Sequence, residues 1–285
     1  MRDDFLPFAR PSVSEDAINE VVESIRSGWL AMGPKTIRFE ENFSKYTGAS
    51  WSVSVNSATA GLHTTLLALD IGPGDEVITT PMTFAATVNT IMFAGARPVL
   101  ADIDRNTLNI DPDKIEKAVT KNTKAIIPVH FAGMPCDMDR IEAIADKYGL
   151  AIIEDAAHAL GASYKGRKIG ADRGKRRASV FSFHPTKNIT TGEGGMICTG
   201  DEALAEKATV LRQNGMSKGA WNRYAAKGSA NYDIFFPGLK YTMMDIQAAI
   251  GDSQLRELGS FNARRKEIVS FYMEELSKAE GLILP

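Results

Sequence analysis

A chain of 285 residues is long enough to bury a large hydrophobic core, and it predicts one large domain with part of a second. Its 33 Lys and Arg residues nearly balance 35 Asp and Glu residues, so a formal net charge of -2 gives no reason to expect nucleic acid or an anionic membrane as a partner. Two cysteines are too few for a disulfide framework, and no apolar run approaches the length of a membrane span. Since residues 1–4 open no signal peptide either, we expect a cytoplasmic protein.

Short apolar runs alternate along the chain with stretches of helical periodicity. This pattern is typical of a mostly parallel β-sheet covered by helices, a three-layer α/β/α fold. We also expect a small hairpin at Ser163–Ile169 and a solvated basic loop at Arg173–Arg177. The predicted strands are Trp51–Val55, Glu76–Thr80, Pro98–Asp102, Ala125–His130, Ala151–Glu154, Ser179–Phe183 and Met196–Thr199. The predicted helices are Leu62–Leu69, Phe84–Gly95, Asp111–Val119, Met138–Tyr148, Glu202–Gln213, Asp245–Leu258 and Asn262–Leu276.

The segment FHPTKNITTGEGG, from Phe183 to Gly195, places Lys187 between the end of a buried strand and a glycine-rich loop. Lysine forms imines with aldehydes, and a desolvated site keeps part of its amine neutral and nucleophilic. Such an amine must be held rigidly and yet be approached by a flat cofactor, which this setting allows. A lone lysine in a loop is more often a surface residue, but the neighbouring residues favour a cofactor-binding lysine here.

The segment EDAAHALG begins at Glu154, directly after the apolar strand Leu150–Ile153. A carboxylate at the carboxyl end of a strand lies where open α/β sheets bind ligands. Asp155 could pair there with the nitrogen of a pyridine ring and keep it protonated, so that the ring accepts electrons from a substrate carbanion. The alternative is a helix cap, the commoner role of an isolated Asp at a strand end. His158 could bond a phenolic oxygen of the same cofactor, or it could be a satisfied buried histidine.

The turn Asn56–Thr59, with the sequence NSAT, lies between a predicted strand and a predicted helix. Small residues let the backbone N–H groups of a helix N-terminus face an anion, and the hydroxyls of Ser57 and Thr59 can add hydrogen bonds, which favours a phosphate group. Simple capping of the helix is an equally good interpretation of this segment alone. No glycine motif of the nucleotide-binding type occurs in the chain.

The segment PMTFAAT, from Pro81 to Thr87, opens the next predicted helix. Phe84 could stack on a pyridine ring, because aromatic faces pair well with flat heterocycles. A lone Phe at the start of a helix is more often part of the core.

Taken in chain order, the motifs resemble those of the DegT/StrS family of sugar aminotransferases, which belong to the fold type I class of pyridoxal 5'-phosphate (PLP) enzymes. The resemblance runs from Pro7 to the end of the chain, and it implies the fold type I architecture with PLP as the cofactor. The matching motifs are SGWLAMGPKTIRFE, NSATAGLH, GDEVITTPMTFAAT, AIIPVHFAG, IIEDAAHALGA, FSFHPTKNITTGEGG and GLKYTMMDIQAAIG.

The resemblance also implies roles for single residues. Lys187 matches the lysine that holds PLP as a Schiff base, and Asp155 matches the partner of the pyridine nitrogen. His158 falls where the family has Gln or His near the phenolic oxygen. The other implied cofactor contacts are Ser57, Ala58, Thr59 and Ser182 around the phosphate and Phe84 against the ring.

Similarity to this family further implies a homodimer whose sites borrow residues from the partner subunit. Lys240, in the motif GLKY, stands where the family often has an Asn that reaches the partner's phosphate; a lysine supplies charge there but not an amide's paired geometry. Family members continue into a small C-terminal domain. We therefore expect residues 1–256 to form the large domain and residues 257–285 to form a linking helix and the beginning of the small domain, in a chain that is cut short.

The implied reaction moves an amino group from an amino acid, with glutamate as the expected donor, to a keto-sugar carried on a nucleotide, in surface-glycan or lipid A sugar biosynthesis. The amine of Lys187, once freed from the cofactor, would act as the general base. The motifs look closest to those of enzymes that aminate C4 of a UDP-linked 4-keto sugar. One alternative is a related sugar dehydratase, but those enzymes replace the lysine with histidine. The other is a cofactor-binding regulatory protein without turnover, which the sequence leaves open.

Overall fold

A computed structural model of the chain describes residue 5, residues 7–216 and residues 233–284. Its centre is a seven-stranded sheet in which β9 (Gly195–Thr199) runs antiparallel to both of its neighbours and the other strand pairs are parallel. The predicted mostly parallel α/β fold is therefore confirmed. The strands lie in the spatial order β1 (Trp51–Val55), β9 (Gly195–Thr199), β8 (Arg177–Ser182), β5 (Ala151–Asp155), β4 (Thr123–Ile126), β2 (Glu76–Thr79) and β3 (Arg97–Leu100). A separate hairpin pairs β6 (Ser163–Tyr164) with β7 (Arg167–Lys168), as predicted.

Helices begin and end where local side chains satisfy their free backbone groups. The carboxylate of Asp137 accepts from the N–H of Arg140 at the start of α6 (Met138–Tyr148), and Gly149 ends that helix with a φ of 67°, which favours glycine. None of the described helices is both long and apolar enough to cross a membrane. The α-helices in the described residues are α1 (Glu15–Ser27), α2 (Pro34–Thr47), α3 (Ala58–Ala68), α4 (Ala85–Phe93), α5 (Pro112–Ala118), α6 (Met138–Tyr148), α7 (Glu202–Leu211) and α8 (Asp245–Leu276).

Successive residues of a strand point to opposite sides of the sheet, and in β8 the four central residues are all buried, so both sides of this strand are covered. In β8, Val180 packs into a cluster with Leu66 of α3, whereas Phe181 packs on the other side with Phe43 of α2. The Phe43 and Phe181 rings lie 5.3 Å apart between centroids with planes at 65°, a favourable edge-to-face arrangement. Packing on both sides fixes β8 in the centre of the sheet, and the carboxyl edge of the sheet can serve as a platform for a site.

The helices differ from the prediction at both ends of the chain. The two predicted C-terminal helices are a single helix, α8, which continues through Gly259. One glycine in a helix costs about 1 kcal/mol, and the buried first half of α8, which packs against α1 and α2, outweighs that cost. The structure also contains α1 and α2, for which the sequence pattern gave no prediction.

The basic segment is not a solvated loop throughout, so that prediction is wrong in part. The side chain of Arg173 is buried and donates to Glu142 (2.5 Å). Arg177, at the start of β8, donates to the carbonyl oxygen of Leu150 (2.9 Å) and to the carboxylate of Asp146 (2.6 Å). Both arginine side chains are therefore held against the protein by acidic and carbonyl groups that are distant in sequence.

Candidate active site

A cavity of about 560 Å³ lies at the carboxyl ends of β5 and β8, where the first turns of α3 and α4 also meet. Open α/β sheets bind their ligands at this edge. The cavity brings together eight of the predicted site residues, and Lys240 is not among its lining residues. The eight are Ser57, Ala58, Thr59, Phe84, Asp155, His158, Ser182 and Lys187.

Lys187 lies in a tight turn just beyond β8. Its backbone N–H donates to the carbonyl oxygen of His184 (2.9 Å), and the following loop returns to the strand end, where the N–H of Thr191 donates to the carbonyl of Phe183 (3.0 Å). Partial burial lowers the pKa of the Lys187 amine, and the negative charge of Asp155 opposes this shift. A lysine with a lowered pKa is neutral, and therefore nucleophilic, for a larger fraction of the time.

Asp155 is the last residue of β5 and is almost fully buried, with 7% of its surface exposed. One carboxylate oxygen accepts from the hydroxyl of Thr87 on α4 (2.7 Å), and the other accepts from the N–H of Ala157 (3.2 Å). The Thr87 hydroxyl also lies 2.7 Å from that of Thr83. The bond from Ala157 closes a local turn, but residues 156–162 form no helix, so the alternative interpretation of Asp155 as a helix cap is wrong. The Asp155 carboxylate lines the cavity instead.

His158 lies beside both of these charged groups. Partial burial lowers the pKa of its imidazole, the positive charge of Lys187 lowers it further, and the negative charge of Asp155 acts in the opposite direction. The ring is therefore mainly neutral near pH 7, with one nitrogen that can donate and one that can accept a hydrogen bond.

The opposite end of the cavity is formed by the N-terminus of α3. The hydroxyl of Ser57 accepts from the N–H of Ala60 (3.0 Å), so Ser57 caps the helix. The N–H groups of Ala58 and Thr59 belong to the first turn, which has no carbonyl partners within a helix, and such groups attract anions. A Cβ atom on Gly195 would lie 2.7 Å from the backbone nitrogen of Ala58, so the glycine allows β9 to approach this turn closely. The N-terminus of α3 and the open space of the cavity beside it together fit a phosphate group.

Phe84 is the N-cap residue of α4, and 78% of its surface is exposed. The interpretation of Phe84 as an ordinary core residue is therefore wrong. Its ring borders the cavity, where it can contact a flat ligand.

Lys240 is exposed beside the helix N-terminus rather than in the cavity. The backbone next to Lys240 is held by two hydrogen bonds of Tyr241. Its carbonyl oxygen accepts from the N–H of Asn56 (2.9 Å), and its N–H donates to the carbonyl oxygen of Arg212 (2.9 Å). The segment GLKY thus adjoins the NSAT turn, while the expected contact with a partner subunit stays a prediction.

Several cavity residues were not singled out from the sequence. Thr83 lines the cavity just before α4, and the buried Thr87 of α4 donates to Asp155 without lining the cavity. Two threonines four residues apart beside a predicted helix start were available as a signal. No local signal distinguishes the others from ordinary loop or strand residues. They include Phe8, His130, His184 and Glu193.

Comparisons with known proteins agree with this geometry. The DegT/DnrJ/EryC1/StrS aminotransferase family model matches residues 11–285. The spore coat polysaccharide biosynthesis protein SpsC of Bacillus subtilis is 52% identical over 284 residues, which are 100% of this chain and 72% of SpsC. Spr1654 of Streptococcus pneumoniae, a proposed sugar aminotransferase solved in its pyridoxamine 5'-phosphate form, superimposes with a TM-score of 0.89 at 38% identity, over 96% of this chain and 73% of that one. PseC of Helicobacter pylori, an aminotransferase involved in the biosynthesis of pseudoaminic acid, gives a TM-score of 0.87 at 32% identity over 96% and 71% of the two chains.

The fold and the site define an enzyme of the fold type I class. A lysine with a lowered pKa, a buried carboxylate and a helix N-terminus converge on one cavity, and these groups fit the aldehyde, the ring nitrogen and the phosphate of PLP. The chain belongs to the DegT/DnrJ/EryC1/StrS aminotransferase family and is a PLP-dependent aminotransferase.

Proposed function

We propose that the chain transfers the amino group of glutamate to a keto-sugar linked to a nucleotide, as a step in surface polysaccharide biosynthesis. The observation that carries this proposal is the convergence of Lys187, Asp155 and the N-terminus of α3 on one cavity. The similarity to SpsC supports a polysaccharide pathway, and the similarity to Spr1654 supports a sugar as the acceptor.

In this proposal Lys187 holds the cofactor through a covalent bond to its Nζ atom. When bound, PLP supplies a pyridine ring that withdraws electrons from the α-carbon of the amino acid. The amine of Lys187, when free, would take the proton from that α-carbon and so act as the general base. The lowered pKa of Lys187 favours this role, because more of the amine is unprotonated and ready to accept a proton.

Asp155 and His158 orient the ring. The carboxylate of Asp155 accepts hydrogen bonds from Thr87 and Ala157 and would pair with the protonated ring nitrogen. His158 hydrogen-bonds the phenolic oxygen, and the exposed ring of Phe84 packs against the cofactor. These three groups lie at the end of β5, on the adjoining turn and at the start of α4, so they already line one cavity.

The phosphate is bound at the other end of the cavity. The N–H groups of Ala58 and Thr59 and the hydroxyls of Ser57, Thr59 and Ser182 supply the donors. The hydroxyl of Ser57 serves both purposes, since its oxygen caps α3 while its proton is free to be donated outward.

The protein is proposed to work as a cytoplasmic homodimer, with Lys240 of one subunit placed near the phosphate of the other. The exposed position of Lys240 beside the NSAT turn is compatible with such a contact. For the acceptor we propose a UDP-linked 4-keto sugar that is aminated at C4, in the pathways that modify lipid A or build related glycans.

The attachment residue can be tested by chemical trapping. Purified protein incubated with PLP and reduced with borohydride should carry the cofactor on Lys187, as mapped by mass spectrometry. Lys187→Ala should retain some phosphate-anchored cofactor but lose turnover, because the covalent bond and the base are both removed. Lys207→Ala is the matched control, since Lys207 forms an ion pair with Asp70 at the surface. An adduct on Lys168 or Lys207 would overturn the assignment.

The substrates can be tested by steady-state kinetics with a panel of keto-sugar nucleotides. Glutamate and a 4-keto-sugar nucleotide should show ping-pong kinetics, whereas ordinary pairs of amino and keto acids should react slowly. Rapid exchange between aspartate and oxoglutarate, with no activity on any sugar, would contradict the proposed acceptor.

A further inference from the structure

The turn that follows β4, residues 128–136, forms two hydrogen bonds with the backbone of Asp155. The N–H of Asp155 donates to the carbonyl oxygen of Pro128 (2.9 Å), and the N–H of His130 donates to the carbonyl of Asp155 (3.1 Å). Val129 forms a parallel bridge with Asp155 between these two bonds. The position of the Asp155 Cα atom, and with it the direction of the carboxylate, therefore depends on this turn.

His130 anchors the turn through both of its ring nitrogens. The ring has no exposed surface, and its Nδ1 accepts from the backbone N–H of Cys136 (3.1 Å). Because a backbone N–H can only donate, Nδ1 carries no proton and the proton is on Nε2. Nε2 then donates to the carboxylate of Glu154 (2.8 Å), which also accepts from the hydroxyl of Ser179 (2.8 Å). His130, near the start of the turn, thus links Cys136 at its end to Glu154, the strand residue directly before Asp155.

The other side of the same turn lies close to the backbone of His158. Ala132 and Gly133 have φ values of 51° and 88°, and a Cβ atom on Gly133 would lie 2.8 Å from the carbonyl oxygen of His158. The buried side chain of Asn109 holds this conformation, since its amide donates to the carbonyl of Met134 (3.0 Å). One turn therefore contacts the backbones of both residues that face the cofactor ring.

We propose that His130 is a positioning residue which, through Glu154 and the N–H of Cys136, sets the turn that places the Asp155 carboxylate and the His158 ring. The inference rests on the proposed roles of Asp155 and His158. His130 lines the cavity, but in this proposal it does not contact the reacting atoms.

Two substitutions of His130 separate its two hydrogen bonds. His130→Asn keeps an acceptor near Nδ1 for Cys136 but loses the donor to Glu154, whereas His130→Gln keeps a donor near Nε2. In the cofactor-free protein, deuterium exchange of the Asp155 N–H in His130→Asn should be about tenfold faster than in the unaltered protein, with His130→Gln between them. His63→Asn is the control, since His63 lies outside the cavity with its Nδ1 3.3 Å from the Tyr241 hydroxyl.

The PLP-bound protein supplies a second measurement. The pH midpoint of the cofactor absorption change should rise by about one unit in His130→Asn, because a ring nitrogen held less firmly by Asp155 withdraws less charge from the bond to Lys187. The kcat for glutamate should fall about tenfold while its KM changes less than about twofold, since the perturbation acts on the ring rather than on donor binding.

Gly133→Ala tests the other contact of the turn without touching His130. The added Cβ pushes on the His158 carbonyl, and the same midpoint should shift, whereas Gly149→Ala should leave it unchanged. Gly149 also has a positive φ (67°) but has no atom within 4 Å of an added Cβ, so the control carries the backbone cost alone.

The outcomes distinguish the two proposals. A parent protein that binds no PLP contradicts the proposed function, and the exchange rate of the Asp155 N–H still decides the role of His130. If His130→Asn does not fold, His130→Gln decides, since it should still exchange the Asp155 N–H faster than the unaltered protein. Exchange rates and midpoints that match the parent protein in every folded variant would overturn the inference.

Discussion

Asp155 offers the most direct test of how the site works. In Asp155→Ala the cavity loses a carboxylate that is 7% exposed and accepts hydrogen bonds from Thr87 and Ala157. A carboxylate and a ring cation about 4 Å apart attract each other by about 4 kcal/mol at an effective dielectric constant of about 20. If about 3 kcal/mol of this attraction acts on the transition state, the rate falls about a hundredfold or more.

The control variants separate charge from capping. Asp155→Asn keeps an oxygen that can accept from the N–H of Ala157 but has no charge, so we expect it to be nearly as slow as Asp155→Ala. His158→Asn should be affected far less, because a contact to the phenolic oxygen adjusts the ring rather than setting its protonation.

Single-turnover measurement of the reaction with glutamate, followed by cofactor absorbance, isolates the chemical step from product release. Equal and mild effects of Asp155→Ala and His158→Asn, or full activity in Asp155→Asn, would mean that Asp155 serves only as a cap for Ala157. The electrostatic reasoning would then be wrong.

Three further predictions follow from the contacts. Lys240→Ala should weaken PLP retention in equilibrium dialysis, and the difference from the parent protein should shrink as salt screens the lysine charge; a fully active monomer in dilute solution would contradict the dimer contact. Gly195→Ala should also weaken PLP binding, since its Cβ would lie 2.7 Å from the Ala58 nitrogen, whereas Gly259→Ala on the exposed side of α8 should not. Burial opposes ionisation of Glu154, but the hydrogen bond from His130 and the charge of Arg173 lower its pKa overall. The ionised Glu154 carboxylate therefore stabilises the fold above the usual glutamate pKa, and this stability is lost as the pH falls through the lowered pKa. Glu154→Gln lacks this ionisable group, so urea denaturation should show a smaller loss of stability between about pH 5 and about pH 3 for the variant than for the parent protein.

The sequence alone was sufficient for the order and type of most elements. Alternating apolar runs and helical stretches predicted all seven strands of the sheet, because burial on both faces requires apolar residues at successive positions. Eight of the predicted site residues line the cavity. Local chemistry in short segments where a strand meets a turn indicated six of them, whereas Ala58 and Ser182 were implied only by the resemblance to the family. The pattern was less informative at β4, which ends at Ile126 rather than at His130, because an apolar run does not show where hydrogen bonding stops.

The tertiary structure decided which of these local features act together. Lys187 and Asp155 come close because β5 and β8 are neighbours in the sheet, and Thr87 reaches Asp155 only because α4 packs at the same edge. The continuity of α8 and the burial of Arg173 likewise depend on partners that are distant in sequence. The His130 turn shows the same limit, since its contacts with Glu154 and with the His158 backbone join segments separated by more than 20 residues. Local patterns specify elements and candidate chemistry, whereas contacts between distant segments set the distances and charges that make a site.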